Sequence, residues 1–311
     1  LASGTSAHAG RIASLLFEEL ASIPSTCEIA SEAPYRKFLF TPDALVIAIR
    51  QSGETADTLA AIEKAHQKGC KVLAICNVEN STMAREADAA LFLKAGPEIS
   101  VCSTKAFTNQ LAVLIQLALN LAEQKNLLEK EKAQVFHCAL DEIPSQIETI
   151  LKQAPHIEAI AKKYASYSNF FFMGRRYMYP TCLEAALKLK EISYANANGY
   201  PAGELKHGHI ALLDQNFPVI AFCSDSVTEH KILSNLTEVK ARGAPVLAIA
   251  PDTFKAVASV ADDVLWIPST LDPLSPICSS IAGQLLAYYI AKEKGCDIDQ
   301  PRNLAKSVTV E

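Results

Sequence analysis

The sequence predicts an α/β fold built from two doubly wound parallel-sheet subdomains that are related by an internal repeat. Short, continuously apolar strands alternate with helices, a pattern typical of parallel strands covered by helices on both faces. The elements of residues 44–111 recur in the same order at residues 219–285. We expect a first subdomain at residues 1–130, a helical connector at 131–164, a second subdomain at 165–295 and an irregular C-terminal tail at 296–311.

The repeat is visible strand by strand. VIAI at residues 46–49 corresponds to VIAF at 219–222, and VLAI occurs at both 72–75 and 246–249. Each copy then has an Ala-Asp pair before a third strand and closes with a long helix that contains Gln-Leu. The Ala-Asp pairs are Ala87-Asp88 in the first copy and Ala261-Asp262 in the second. The Gln-Leu pairs are Gln110-Leu111 and Gln284-Leu285.

Glycine and proline set the expected helix boundaries. Gly69 and Gly243 follow the first helix after the VIAI and VIAF strands, where glycine is the usual C-terminal cap. The connector is predicted to be helical, with Pro144 and Pro155 at helix starts, because proline is favoured in the first turn. Residues 299–311 show little apolar periodicity, so a disordered tail is an alternative to a tail ordered over a site.

The first subdomain starts without a complete first strand. Leu1-Ala2 reads as the end of a strand, so we expect the chain to be a fragment of a longer polypeptide. In the second copy, residues 170–173 form an uninterrupted apolar strand before Gly174. A first sheet that lacks most of the corresponding strand is expected to have an apolar groove.

Composition excludes several classes of protein. The formal net charge of −5 argues against a nucleic-acid partner, which requires a basic face. No apolar run approaches the roughly 18–20 residues that cross a bilayer, so no membrane association is expected. The nine cysteines are scattered without a Cys-x-x-Cys pair or a histidine cluster, which predicts free thiols in a reducing compartment and no metal site.

A hydroxyl-rich turn at residues 50–58 (RQSGETADT) connects the strand at 44–49 to a helix. Free backbone N–H groups and the helix dipole favour a phosphate at this point, and Gly53 lets the backbone approach it. No Gly-Lys-Ser/Thr follows, so a nucleoside triphosphate is not the expected ligand. A plain helix N-cap formed by Ser52 is the alternative interpretation.

Two more polar turns are expected at the same edge of the first sheet, because ligands of open α/β sheets bind beyond the carboxyl ends of the strands. They are Gly4-Thr5-Ser6 and VCSTK at residues 101–105. The equivalent of the 50–58 turn in the second copy carries Asp225 and Glu229, which would repel a phosphate. One phosphosugar site per chain is therefore predicted, in the first copy.

Three charged residues share one face of a predicted helix. Glu184, Lys188 and Glu191 are spaced i, i+4, i+7, which suits either an acid–base relay or a surface ladder of ion pairs. The neighbouring alanines and leucines predict a buried helix, on which a charged stripe has to face a cavity or a partner. The loop that follows contains His207 and His209, which suit acid–base chemistry or simple exposure to solvent.

The motifs QSGETADT, STKAFT, EAALKLKEIS, GELKHG and DQPRNLAKSVTVE together resemble the isomerase domain of the glutamine–fructose-6-phosphate aminotransferase (glucosamine-6-phosphate synthase) family. The resemblance covers residues 3–311. It implies two flavodoxin-like sugar-isomerase (SIS) subdomains that form glucosamine 6-phosphate from fructose 6-phosphate and ammonia, for the UDP-N-acetylglucosamine pathway. It also implies a cytoplasmic homodimer, an N-terminal glutaminase domain as partner, and no cofactor.

The resemblance also implies roles for individual residues. Glu191 would be the base that moves a proton between C1 and C2, and Lys188 would act on the adjacent oxygen. His207 would open the sugar ring from the partner subunit, and Lys306 would reach the sugar from the tail. The substrate-binding residues implied are Thr5, Ser6, Gln51, Ser52 and Thr55 around the phosphate, with Val101, Ser103 and Glu184 along the sugar.

The chain departs from the family pattern at three positions. Arg50 stands where the family often has serine, Ser3 where it often has cysteine, and His209 where it often has proline. A guanidinium at position 50 could pair with the phosphate or point away from it. The alternatives to the leading hypothesis are a stand-alone sugar-phosphate isomerase or deglycase and a phosphosugar-sensing module. Two copies together with the Lys188–Glu191 pair favour an enzyme.

Overall fold

A computed structural model describes residues 1–37 and 39–306, and the expectations for residues 307–311 lie outside this part of the chain. The chain divides into two compact units. Unit 1 contains Leu1–Leu127 and the chain from Asn303 onward, and unit 2 contains Leu128–Arg302. Unit 2 is therefore inserted between two segments of unit 1.

Unit 1 has the predicted parallel sheet, with the strand order β1-β2-β3 and helices between the strands. Alanine and valine side chains of β1 and β2 pack against the buried face of α2, and together they form the core of unit 1. The strands are β1 (Leu45–Ile49), β2 (Lys71–Cys76) and β3 (Ala89–Phe92), and the helices are α1 (Thr5–Ala21), α2 (Ala56–Gln67), α3 (Thr82–Glu86) and α4 (Lys105–Gln124).

Leu1 and Ala2 take the place of a strand beside β1. The Leu1 amino group donates to Ile47 O at 2.6 Å, Ile49 N donates to Leu1 O at 2.9 Å, and Ala2 forms a parallel bridge with Ile29. A cavity of about 330 Å³ with mainly apolar lining, including Phe17, lies among Leu1, residues 23–28 and β1. The apolar groove expected from the sequence is present.

Unit 2 repeats this architecture with a complete sheet. All its strand pairs are parallel, in the order β5-β4-β6-β7-β8, and α5 and α6 pack against α9. The strands are β4 (Asn169–Gly174), β5 (Asn196–Pro201), β6 (Val219–Phe222), β7 (Val246–Pro251) and β8 (Asp263–Ile267), and the helices are α5 (Lys130–Lys152), α6 (Ala154–Tyr164), α7 (Met178–Ser193), α8 (Glu229–Lys240) and α9 (Ser275–Glu293).

One of the two proline predictions is wrong. Pro155 lies in the first turn of α6, as predicted, but Pro144 lies inside α5. The helix begins at Lys130 and continues through Pro144, whose missing N–H removes one helical hydrogen bond. Pro144 is exposed, so the carbonyl left without that bond can be hydrated.

Equivalent aspartates fix the third strand of the repeat in both units. Asp88, before β3, accepts a hydrogen bond from Val72 N at 2.9 Å and donates its own N–H to Val72 O at 2.9 Å. Asp262, before β8, makes the same two bonds with Val246 at 2.7 and 2.9 Å. The Ala-Asp pair of the repeat thus holds the start of one strand against its neighbour.

We expect the stabilisation by Asp88 to disappear in acid. Hydrogen bonds from Lys71 and from Val72 N lower the pKa of Asp88 from 3.8 to about 2. Because the folded-state pKa is depressed, the stabilisation is present above the unfolded pKa and is lost as the pH falls through about 2. Urea midpoints of the parent and of Asp88→Asn should therefore converge between about pH 4 and pH 2. A carboxyl carbon NMR titration with a midpoint near the unfolded pKa contradicts this prediction.

Candidate active site

The turn at residues 50–58 leads from the end of β1 into α2. Gly53 has φ 72°, and a Cβ at this position would lie 2.4 Å from the Oγ of Ser81, so only glycine fits. Glu54 Oε1 accepts a hydrogen bond from Thr82 N at 2.8 Å, which ties the turn to α3. The N-cap of α2 is Thr55 rather than Ser52, so the alternative interpretation of Ser52 as a plain cap is wrong.

Arg50 joins two of the turns predicted to hold the phosphate. Its Nη1 donates to Ser3 O at 3.3 Å, and its Nη2 donates to Thr55 Oγ1. Burial lowers the pKa of Arg50 while Asp57 opposes the shift, and a guanidinium stays charged at neutral pH. The side chain therefore brings a positive charge to the N-cap hydroxyl of α2, next to the turn that begins α1.

The first polar turn is held by the closing helix of unit 1. Ser6 is buried in the first turn of α1, and its Oγ accepts a hydrogen bond from Gln110 Nε2 of α4 at 3.0 Å. Gln110 is one of the two Gln-Leu positions of the repeat. Gln51 is linked to the end of β2, because its carbonyl accepts from Asn77 N at 3.1 Å. An open cavity of about 490 Å³ borders Gln51.

The third polar turn is bonded to a carboxylate that the sequence did not single out, Glu98, which lies three residues before it. Glu98 Oε1 accepts from Thr104 N at 2.8 Å and from Ala106 N at 3.2 Å, at the N-terminus of α4. Its Oε2 accepts from Ser103 Oγ at 3.1 Å and from Lys306 Nζ at 2.6 Å. Ser103 and Lys306, both expected to contact the sugar, thus share one carboxylate oxygen.

On α7 of unit 2, the three charged residues of the stripe contact one another. Lys188 Nζ lies 3.2 Å from Glu184 Oε1 and 2.8 Å from Glu191 Oε2. The Glu184 and Lys188 side chains are each 1% exposed and that of Glu191 is 19% exposed, so a surface ladder is excluded. Glu191 Oε2 is buried, and the Lys188 ammonium is its nearest charged neighbour among the described residues.

The two histidines of the loop differ in their surroundings. His207 is exposed between two short 3₁₀ helices and donates its backbone N–H to Glu204 O at 3.0 Å. His209 packs on aromatic rings, with ring centroids 3.7 Å from Tyr200 and 6.1 Å from Phe171. His209 therefore stabilises the loop by stacking, and His207 remains the candidate for acid–base chemistry.

In unit 2, the turn equivalent to residues 50–58 is filled by its own ion pair. Asp225 Oδ2 lies 2.7 Å from Arg176 Nη1, and Asp225 Oδ1 accepts from Thr228 Oγ1 at 2.9 Å. Burial raises the pKa of Asp225, and burial with the nearby charges of Asp272 and Asp225 raises the pKa of Glu229. Three carboxyl groups, those of Asp225, Glu229 and Asp272, surround the one guanidinium of Arg176, and this arrangement disfavours a phosphate.

Two negative findings concern residues 1–37 and 39–306. Their histidines, cysteines and carboxylates form no group of three or more that could hold a metal ion. Within the same part of the chain, every helix is too short or too polar to cross a membrane.

Comparisons with known proteins agree on one family. The model of the SIS domain matches residues 1–120 and 163–293. The chain is 48% identical over its whole length to a glutamine–fructose-6-phosphate aminotransferase (isomerizing) of Methanosarcina acetivorans, and 49% identical to one of Chlamydia caviae. It spans about half the length of these relatives, 50% and 51% respectively.

Solved structures give the same result. The C-terminal domain of glucosamine-fructose-6-phosphate aminotransferase from Francisella tularensis superposes with a TM-score of 0.93 at 40% identity, covering 96% of this chain and 85% of that one. A glucosamine-6-phosphate deaminase from Thermotoga maritima, with a TM-score of 0.77 at 22% identity, shares the fold.

Proposed function

The chain belongs to the SIS-domain family and is a counterpart of the C-terminal domain of glucosamine-fructose-6-phosphate aminotransferase, and from this premise we propose that it is the isomerising part of such an enzyme. Its substrate would be fructose 6-phosphate, and with ammonia its product would be glucosamine 6-phosphate. The observation that carries the proposal is the group on α7, where a carboxylate oxygen lies 2.8 Å from a buried ammonium.

Ketose–aldose interconversion needs the two functions that this group offers. A carboxylate has to carry a proton between C1 and C2, and Glu191, the most exposed member of the group, supplies it. A cation has to stabilise the negative charge that develops on the adjacent oxygen, and Lys188 supplies it from a site that is shielded from water. Glu184 stabilises the charge of Lys188 from the other side.

Unit 1 supplies the groups suited to the phosphate. Two turns that precede helix N-termini are joined by the Arg50 side chain, and hydroxyls of Ser52 and Thr55 lie in one of them. The helix dipoles, the two hydroxyl groups and the Arg50 guanidinium all favour binding of a phosphate dianion. We assign the remaining substrate-binding roles to Thr5, Ser6, Gln51, Val101 and Ser103, and ring opening to His207.

The partners follow from the same premise. The relatives are about twice as long as this chain, and the name that they carry includes glutamine as a substrate. We propose that a glutaminase domain delivers ammonia, and that the enzyme works as a cytoplasmic homodimer. Formation of glucosamine 6-phosphate from fructose 6-phosphate and ammonium chloride by the isolated chain, followed by mass spectrometry, tests the reaction. Formation of glucose 6-phosphate alone would indicate a plain isomerase.

We expect one molecule of fructose 6-phosphate to bind per chain, with an affinity that falls as salt is added. Replacing Ser52 and Thr55 together by alanine should weaken binding by about 1–3 kcal/mol, because hydrogen bonds to a charged group are lost. Calorimetric titration measures both stoichiometry and affinity. The matched control is Ser226→Ala in the equivalent turn of unit 2, which should bind like the parent. Two equivalent sites per chain would contradict the assignment of the phosphate to unit 1.

A further inference from the structure

We propose that Glu98 is a positioning residue that holds Lys306 against the turn containing Ser103. The proposal concerns the same site as the proposed function and rests on it for its catalytic consequence. The contact itself is a property of the ligand-free chain, so it can be tested without substrate.

Glu98 uses both carboxylate oxygens, and each has a separate task. Oε1 accepts hydrogen bonds from the backbone N–H groups of Thr104 and Ala106, at 2.8 and 3.2 Å. These N–H groups at the start of α4 have no partner within the helix, so Glu98 supplies one. Oε2 receives Lys306 Nζ at 2.6 Å and Ser103 Oγ at 3.1 Å. One side chain therefore orders the turn and anchors the segment after Arg302.

The surroundings strengthen this contact. The Glu98 side chain is 3% exposed and that of Lys306 is 26% exposed, so water screens the pair less than an ordinary surface ion pair. Burial on its own raises the pKa of Glu98, but the bonds from Lys306, Thr104 and Ala106 outweigh it and the net shift is downward. Glu98 is thus a carboxylate at neutral pH.

Lys306 also donates to Ser100 O at 2.7 Å, and together the two contacts place its ammonium next to the Ser103 hydroxyl. In a flexible tail a lysine would sample many rotamers, and fixing it in advance removes that cost from substrate binding. Glu98 does not need to touch the sugar to have this effect. It acts through Lys306 and through the turn.

Two substitutions separate the tasks of Glu98. Glu98→Gln keeps an oxygen that can accept from Thr104 N and Ala106 N but removes the charge that holds Lys306, whereas Glu98→Ala removes both. The matched control is Asp88→Asn, because Asp88 also lies in unit 1, 2.6 Å from a lysine Nζ, and also accepts a backbone N–H. It lies outside the proposed site.

The first measurement is trypsin cleavage after Lys306 in the ligand-free chain, timed by mass spectrometry. We expect Glu98→Gln to be cut on the order of tenfold faster than the parent, at a nearly unchanged melting temperature. Asp88→Asn should be cut at the parent rate, and Glu98→Ala should also melt earlier. Equal cleavage of the parent and of Glu98→Gln would overturn the proposal.

The second measurement is C1–C2 proton exchange in fructose 6-phosphate. Glu98→Gln should lower kcat more than it changes KM, and Glu98→Gln with Lys306→Ala should be no slower than Lys306→Ala alone. If the double variant instead loses exchange rate by the product of the two single losses, the substitutions act independently and Glu98 does not act through Lys306. A parent chain that neither binds nor exchanges the sugar would instead contradict the proposed function, while the cleavage rates would still decide whether Glu98 holds Lys306.

Discussion

Replacing Glu191 with glutamine should abolish C1–C2 proton exchange in fructose 6-phosphate while substrate binding persists. Glutamine keeps the size of the side chain but replaces the carboxylate beside Lys188 by an amide, which cannot act as the base. The loss should be on the order of a hundredfold or more, because a positioned general base contributes about that much. Exchange in deuterated water followed by NMR, together with calorimetric binding, measures both quantities.

A matched control for this variant is Glu158→Gln. Glu158 on α6 also pairs with a lysine, Lys292, at 3.1 Å, but the pair is exposed and distant in sequence from the α7 stripe. We expect this variant to exchange protons at the parent rate. If Glu191→Gln does so as well, Glu191 is not the base and the proposed mechanism is wrong.

The second large effect is expected from Lys188→Met. Both Lys188 and Glu184 are 1% exposed, so removing the ammonium breaks a buried ion pair. Breaking a buried pair in this way costs about 3–5 kcal/mol of unfolding free energy. In a unit of this size that corresponds to a fall in melting temperature of about 10 °C. Proton exchange should be lost too.

A double variant separates the two effects. Glu184→Gln combined with Lys188→Met removes the uncompensated charge, so most of the stability should return while exchange stays absent. Differential scanning calorimetry and the NMR exchange assay measure these outcomes. A Lys188→Met chain as stable as the parent would mean that water reaches the pair, and the shielded electrostatics proposed for the reaction would fail.

The fold was predictable because its strands are short apolar runs that recur. The predicted strand at 219–222 matches β6, and the runs at 72–75 and 264–267 lie within β2 and β8. β6 is buried throughout and β2 over most of its length, so their sequences carry the signal without alternation, whereas the edge strand β8 is only partly buried. Pro144 was misassigned because a proline favours a helix start only on average, and an exposed interior position tolerates it.

The site was predictable where its residues are close in sequence. The stripe on α7 follows from helical spacing, and the structure adds that Glu184 and Lys188 are buried. Glu98 could not be found in this way, because its partner Lys306 is 208 residues away. The surroundings of His209 depend on Tyr200 and Phe171, which only the folded chain brings to it. Contacts of this kind leave no spacing pattern in a single sequence.

The insertion of unit 2 within unit 1 has a consequence for the order of folding. Unit 1 is discontinuous in sequence, because the whole of Leu128–Arg302 lies between Glu98 and Lys306. Joining Glu98 to Lys306 through a flexible chain of 208 residues would cost about 5 kcal/mol in closure entropy. A folded unit 2 replaces most of that flexible chain by a compact body. We therefore expect the contact at Lys306 to form at a lower entropic cost once unit 2 has folded.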